Sequence, residues 1–182
     1  MDIIITGRVG IGKTTVCQKI LGLARRAGCT CGGILTPKVV DGNTVKGIDV
    51  IDIKSGKRET LASLEDVYDG PHIGRYFFKP SGIRFGIRAI ENGASSDILM
   101  IDEIGYLELQ GEGFVNALSL IKTKKVANSI LVIRKALLPD FQPQLDRELS
   151  VFEVNLNNRN ELPQRIYSYL ATLCYIPGLT PL

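Results

Sequence analysis

The run Ile3-Ile4-Ile5-Thr6 leads straight into Gly7-Arg8-Val9-Gly10-Ile11-Gly12-Lys13-Thr14, and this junction constrains the fold more than any other stretch of the chain. The eight residues from Gly7 match the phosphate-binding pattern G-x-x-x-x-G-K-[ST]. Gly7, Gly10 and Gly12 let a backbone turn tightly and bring its N–H groups to an anion without obstruction from Cβ atoms. The context also fits, because Val16, Ile20, Ala24 and Ala27 fall on one helical face and Gly28 can end that helix. Strand, glycine loop and helix in this order predict a loop that wraps phosphate, with the helix N-terminus aimed at the same charge.

The chemistry of such a loop assigns its residues. Gly7, Arg8, Val9, Gly10, Ile11, Gly12, Lys13, Thr14 and Thr15 are expected around the phosphates. Lys13 reaches the β- and γ-phosphates and has a catalytic part, and the Thr14 hydroxyl is a Mg²⁺ ligand. A second constellation is Ile98-Leu99-Met100-Ile101-Asp102-Glu103. An apolar strand that ends in acids delivers them to the carboxyl edge of a parallel sheet, where ligands bind. Asp102 is expected to position Mg²⁺, and Glu103 to orient and deprotonate a water for attack on the γ-phosphate.

The rest of the chain alternates as an α/β layer fold does. Runs 32–40 and 44–53 flank Asp41-Gly42-Asn43, a hairpin signal, and the turn Ser55-Gly56-Lys57 follows. Helices are predicted over 83–92, 114–121 and 161–173, and buried strands over 97–102, 129–133 and 150–156. In the last helix Leu162, Ile166, Tyr169, Leu170 and Leu173 share a face. The stretch 59–81 gives no clear periodicity. Right-handed crossovers between buried strands then predict a three-layer phosphate-loop fold in one domain over 1–182, with a mostly parallel sheet, helices on both faces and an antiparallel hairpin extension.

At 182 residues the chain suits one full core. Its formal charge of +3 is mild, and Lys122 to Lys125 reads as a solvated helix end, so nothing points to nucleic acid. No apolar stretch reaches the ~20 residues of a membrane span, and the N-terminus enters a strand too soon for a signal peptide. A cytoplasmic location is the expectation. Cys17, Cys29, Cys31 and Cys174 match neither a redox pair nor a zinc pattern and read as reduced packing residues.

Further segments resemble the small THEP-type nucleoside-triphosphatases, enzymes related to the AAA+ and RecA-like branch. Gly32-Gly33-Ile34-Leu35-Thr36-Pro37-Lys38-Val39, Lys46 to Ile53, Ser55-Gly56-Lys57-Arg58 and Ile73-Gly74-Arg75-Tyr76 are similar to consecutive segments of that family. So are Asp102-Glu103-Ile104-Gly105-Tyr106-Leu107-Glu108-Leu109 and Asn158-Arg159-Asn160-Glu161-Leu162. The resemblance implies slow, Mg²⁺-dependent hydrolysis of ATP, GTP and other nucleoside triphosphates to the diphosphate, with broad base tolerance. Three departures bear on the site: Lys38 stands where the family usually has Glu, and Tyr106 and Leu107 replace its Lys-Met.

Several assignments stay open at this point. Glu108 is read as support for the site in preference to a helix-start charge. One of Arg75, Arg134 and Arg159 is expected to touch phosphate or base, with Arg159 after the last strand suited to stack on a base. Arg84, Arg88 and Glu91 read as a solvated helix stripe, and His72 as a solvated loop residue. Two other classes remain beside the hydrolase, a phosphate-loop kinase of a nucleotide or small molecule and a nucleotide-dependent switch or assembly factor. The interval 54–81 is short and poor in arginine for a kinase lid. A protein partner is left open.

Overall fold

The computed structural model describes residues 1–123, 125–145 and 149–173. Cys174 and Lys124 lie outside them. In chain order the elements are β1 (Asp2–Gly7), α1 (Lys13–Arg26), β2 (Cys31–Leu35), β3 (Lys38–Asp41), β4 (Thr44–Asp52) and β5 (Arg58–Ser63). Next come β6 (His72–Ile73), β7 (Tyr76–Phe78), α2 (Pro80–Gly93), β8 (Ile98–Ile104), α3 (Tyr106–Leu109) and α4 (Val115–Lys122). The chain continues through β9 (Ser129–Ile133), α5 (Leu138–Phe141), β10 (Leu149–Val154) and α6 (Leu162–Leu173).

Among the described residues ten strands form one sheet in the order β10-β1-β9-β8-β2-β4-β5-β7-β6, with β3 paired to β4 off this path. From β10 to β2 every pairing is parallel. From β4 onward every pairing is antiparallel. The three-layer α/β architecture read from the sequence is therefore present, and its antiparallel extension is larger than the one hairpin.

Alternation along the parallel strands explains the layers. Ile3, Ile5, Ile98, Met100, Ile130 and Val132 pack on one side against α1 and α6 through Val16, Ile20, Ala24, Ile166 and Leu170. Ile4, Leu99, Ile101, Leu131 and Ile133 pack on the other against residues of α2, α4 and α5, including Ala89, Ile90, Leu118 and Phe141. Strands covered on both faces read as continuous apolar runs, which is why the sequence showed them clearly. Burying one such side chain contributes about 1.5–3 kcal/mol, so this two-sided core dominates the stability.

Several boundaries differ from the expectation: α2 starts at Pro80, β8 runs on to Ile104, and β10 covers Leu149–Val154 with only Val154 buried. The run 32–40 is not one strand, because it breaks at Thr36-Pro37 between β2 and β3. Proline has no N–H for a ladder, and here the Pro37 carbonyl accepts from the Asp49 amide of β4 instead. The illegible interval 59–81 holds three short strands separated by turns, supplying nearly all of β5 and the short β6–β7 hairpin, and runs into the start of α2. These strands are short and only partly buried, so their periodicity is weak. Gly28, at φ +85°, does follow the end of α1, and Arg84, Arg88 and Glu91 are exposed on α2. Among the described residues no helix is long and apolar enough to cross a membrane.

Candidate active site

The glycine loop joins β1 to α1 at the carboxyl edge of the parallel strands. Gly7 has φ +147°, and a Cβ there would come within 2.8 Å of the Val154 carbonyl oxygen of β10. Gly12 takes the N-cap of α1 at φ +104°. Both conformations suit glycine and disfavour residues with side chains, so the loop turns back over the helix start. Val9, Gly10, Gly12, Lys13, Thr14 and Thr15 line a cavity of about 480 Å³ together with Gln18, Asp102 and Glu103. Gly7, Arg8 and Ile11 belong to the loop but not to this lining.

Lys13 is only 6% exposed, and its Nζ donates to the carbonyl oxygens of Gly7 at 3.3 Å and Arg8 at 3.1 Å. The same Nζ lies 3.7 Å from Glu103 Oε2. Arg134, just after β9, donates from Nε to Glu103 Oε1 at 2.6 Å. Glu103 is thus held between two cations while remaining partly open to the cavity.

The bulge in β8 explains how two consecutive acids both come to this edge. Asp102 pairs with Val132, but Ile104 pairs with Ile133, so Glu103 is an extra residue against β9. A bulge of this kind re-aims side chains. Asp102 stays in the parity of Ile98 and Met100 on the α1 face, whereas Ile104 joins Leu99 and Ile101 on the other face.

Asp102 is buried, and burial pushes its carboxyl up to about 6; the Thr14 hydroxyl pulls it down, Glu103 pushes it up, and the Thr36 amide and Lys13 pull it down. Its Oδ2 has no hydrogen-bond partner among the described residues. An orphaned buried carboxylate oxygen beside a threonine hydroxyl suits a hard divalent cation that keeps most of its water and takes its other ligands from phosphate. No cluster of three or more His, Cys, Asp or Glu suited to a metal occurs among the described residues, so the fit is to that kind of ion and not to an all-protein cage.

Glu108 turns out to hold the loop together. Its Oε2 accepts from the Gly105 amide and its Oε1 from the Phe114 amide, both at 2.7 Å. Burial raises its pKa against the pull of those amides. Both oxygens are committed to backbone, so the acid supports the site by fixing the segment from β8 to α4.

The arginines separate. Arg75 and Arg134 line the loop cavity, and the Arg134 guanidinium also lies 5.6 Å from the Tyr106 ring centroid. Arg159 is exposed in the turn after β10 and is absent from the lining. That turn leaves β10 where Val154 pairs with Gly7, beside the glycine loop. Thr36, Pro37, Lys38 and Tyr76 line the cavity too and were not singled out as site residues by sequence. The signal that could have found them is the Thr-Pro break at the carboxyl end of β2, since strand ends at this edge face the loop.

A second cavity of about 610 Å³ adjoins the first. Its walls include Leu61 of β5, Phe78 of β7, Tyr106 and Leu107 of α3, and Phe114. His72 lines it as well and stacks on Phe77 with ring centroids 4.4 Å apart.

Comparison with known proteins agrees with this geometry. A family model described as NTPase matches residues 2–167. The nucleoside-triphosphatase THEP1 of Methanopyrus kandleri is 31% identical over 172 residues, covering 93% of this chain and 94% of its own. That of Methanothermobacter thermautotrophicus is 35% identical over 178 residues, covering 93% and 96%. Among solved structures, the crystal structure of THEP1 from the hyperthermophile Aquifex aeolicus superposes with a TM-score of 0.72 at 24% identity, over 93% of this chain and 99% of that one. The solution structure of a human cancer-related nucleoside triphosphatase gives 0.74 at 24% identity, over 95% and 98%. These two show the shared fold.

Proposed function

From the premise that this chain belongs to the NTPase family and is a nucleoside-triphosphatase, we propose that it hydrolyses ATP, GTP and other nucleoside 5′-triphosphates to the diphosphate and phosphate, with Mg²⁺ as cofactor and water activated by Glu103. The observation that carries this is the convergence of Lys13, Thr14, Asp102 and Glu103 on one cavity, with the Glu103 carboxylate 3.7 Å from Lys13 Nζ.

The loop amides from Gly7, Arg8, Val9, Gly10, Ile11 and Gly12 into Lys13, Thr14 and Thr15 receive the β- and γ-phosphates at the positive end of α1. Lys13 exchanges its two carbonyl acceptors for phosphate oxygens, a charge-assisted contact of about 1.5–3 kcal/mol. Thr14 and Asp102 are the residues that would hold Mg²⁺, which when bound neutralises charge on the phosphate oxygens. A phosphate anion arriving at Lys13 and Arg134 competes with Glu103 for both cations. That competition frees a carboxylate oxygen to orient a water and take its proton. Arg75 and Arg134 are placed to offset charge on the γ-phosphoryl group as it transfers. Arg159, exposed beside the loop, is suited to stack on the base, an interaction that tolerates every base because each has a π-face.

The reading places the enzyme in the cytoplasm, supported by the free, buried state of Cys17, Cys29 and Cys31. Its partner is the nucleotide itself, and no nucleic acid or membrane contact is invoked. The test is phosphate release from ATP, GTP, CTP and UTP with Mg²⁺ and with EDTA. Release from several nucleotides that stops in EDTA is expected. Release from none contradicts the hydrolase, and release indifferent to EDTA removes the metal.

A further inference from the structure

We propose that the apolar chamber beyond Glu103 binds a neutral alcohol carrying a planar aromatic or heteroaromatic ring, and that the enzyme transfers the γ-phosphoryl group to its hydroxyl. The inference rests on the nucleotide site described above, because the chamber opens from it. Thr36, Ile48, Arg75, Tyr76, Glu103 and Arg134 line both cavities. Glu103 therefore stands at a threshold, with the loop on one side and the chamber on the other.

Size decides against a chamber made for water alone. One attacking water occupies about 30 Å³ of liquid volume, whereas this space measures about 610 Å³, within the range of ligand pockets. Its lining decides the chemistry of the occupant. Leu61, Phe78 and Phe114 supply apolar wall, and Tyr76 and Tyr106 add two aromatic rings to it, each with an arginine guanidinium 5.6 Å from its centroid. Charge is confined to the threshold. There Arg75 and Arg134 lie on the side that the triphosphate occupies, and deeper in the chamber both oxygens of Glu108 are taken up by the amides of Gly105 and Phe114. An uncharged ring fits this interior, with its hydroxyl at the polar mouth. The walls also include residues that do not line the nucleotide cavity, namely Leu61 of β5, Phe78 at the end of β7 and the segment from α3 to Phe114.

The step balances without any further reagent. The alcohol oxygen forms a bond to Pγ, its proton passes to the Glu103 carboxylate, and the bond from Pγ to the bridging oxygen breaks. The nucleoside diphosphate leaves with that electron pair. Water in the position of the hydroxyl gives hydrolysis by the same displacement.

The test incubates the protein with Mg²⁺ and γ-labelled ATP in the presence of adenosine, uridine, pyridoxine or benzyl alcohol at millimolar concentration. ADP and phosphate are measured separately, and labelled organic product is identified by mass spectrometry. The expected result is a labelled phosphomonoester of at least one probe, with ADP exceeding phosphate. Ile73→Trp and Gln110→Trp, each placing an indole in the chamber, are expected to cut that product at least tenfold while MgATP still raises their Tm. ADP equal to phosphate and no labelled organic product with all four probes overturns the proposal. A probe that changes phosphate release while ADP still equals phosphate makes the chamber an effector site and also overturns it. Failure of the hydrolase reading looks different, because then neither ADP nor phosphate forms without a probe.

Discussion

The four inner parallel strands carry buried apolar runs and deliver Lys13, Asp102 and Glu103 at their carboxyl edge, whereas β3 to β7 pair antiparallel, lie partly exposed and contribute mainly walls, with Lys38 and Arg75 as their charges at the loop cavity. The parallel half sets where phosphate and metal can sit, through backbone geometry that few residues other than glycine tolerate. The antiparallel half and the segment after β8 set what else can enter. Chemistry and recognition are thus supplied by different parts of one sheet and meet at Glu103, which lines both cavities.

The largest effect expected on the parallel side comes from Lys13→Ala. Loss of the charge-assisted phosphate contact weakens MgATP binding by about 1.5–3 kcal/mol, measurable by calorimetry. Binding unchanged within threefold would place the triphosphate elsewhere. On the chamber side, Glu108→Ala leaves the buried amides of Gly105 and Phe114 without their acceptor, a loss of about 1–3 kcal/mol. The expected readout is a Tm lower by several degrees with turnover per folded molecule changed less than tenfold. A normal Tm with abolished turnover would move Glu108 into the chemistry and erase this part of the division.

A smaller effect separates function from stability within the parallel half. Asp102 has its pKa raised from 3.8 to about 6, so the folded protein holds that proton more tightly than the unfolded chain does. Stability from this group is therefore greatest below about pH 4, falls as pH rises from there to about 6, and stays lost above. Asp102→Asn removes the decline. At pH 7.5 the variant without nucleotide is expected to melt roughly 2–4 °C above wild type, with the gap narrowing at pH 5 and turnover lost. A variant that melts lower at pH 7.5 would contradict the burial argument. The smallest effect is Arg159→Ala, where loss of an exposed stacking contact of about 0.5–1 kcal/mol raises KM a few-fold and leaves kcat alone. A fall in kcat would bring Arg159 to the phosphates.

What the sequence made legible follows the same division. The glycine loop and the strand ending in Asp102-Glu103 are local patterns, each readable within about ten residues. The break at Thr36-Pro37 was hidden because β-rich residues continue on both sides of it, and only the partners of β2 and β3 distinguish them. Strands β5 to β7 are too short and too exposed to show a period. The Arg134 contact to Glu103 spans 31 positions and depends on β9 lying beside β8, which no local pattern encodes. How Glu108 supports the site could not be read from the sequence, because its partners are backbone amides, which leave no trace in residue types.

The most direct test of the account compares Glu103→Gln with wild type in MgATP affinity and in single-turnover phosphate release. The account predicts an affinity within about threefold of wild type and a rate at least about a hundredfold lower, the usual contribution of a positioned general base. Release at the wild-type rate would remove Glu103 as the base and, with it, the claim that the two halves of the sheet meet there in function.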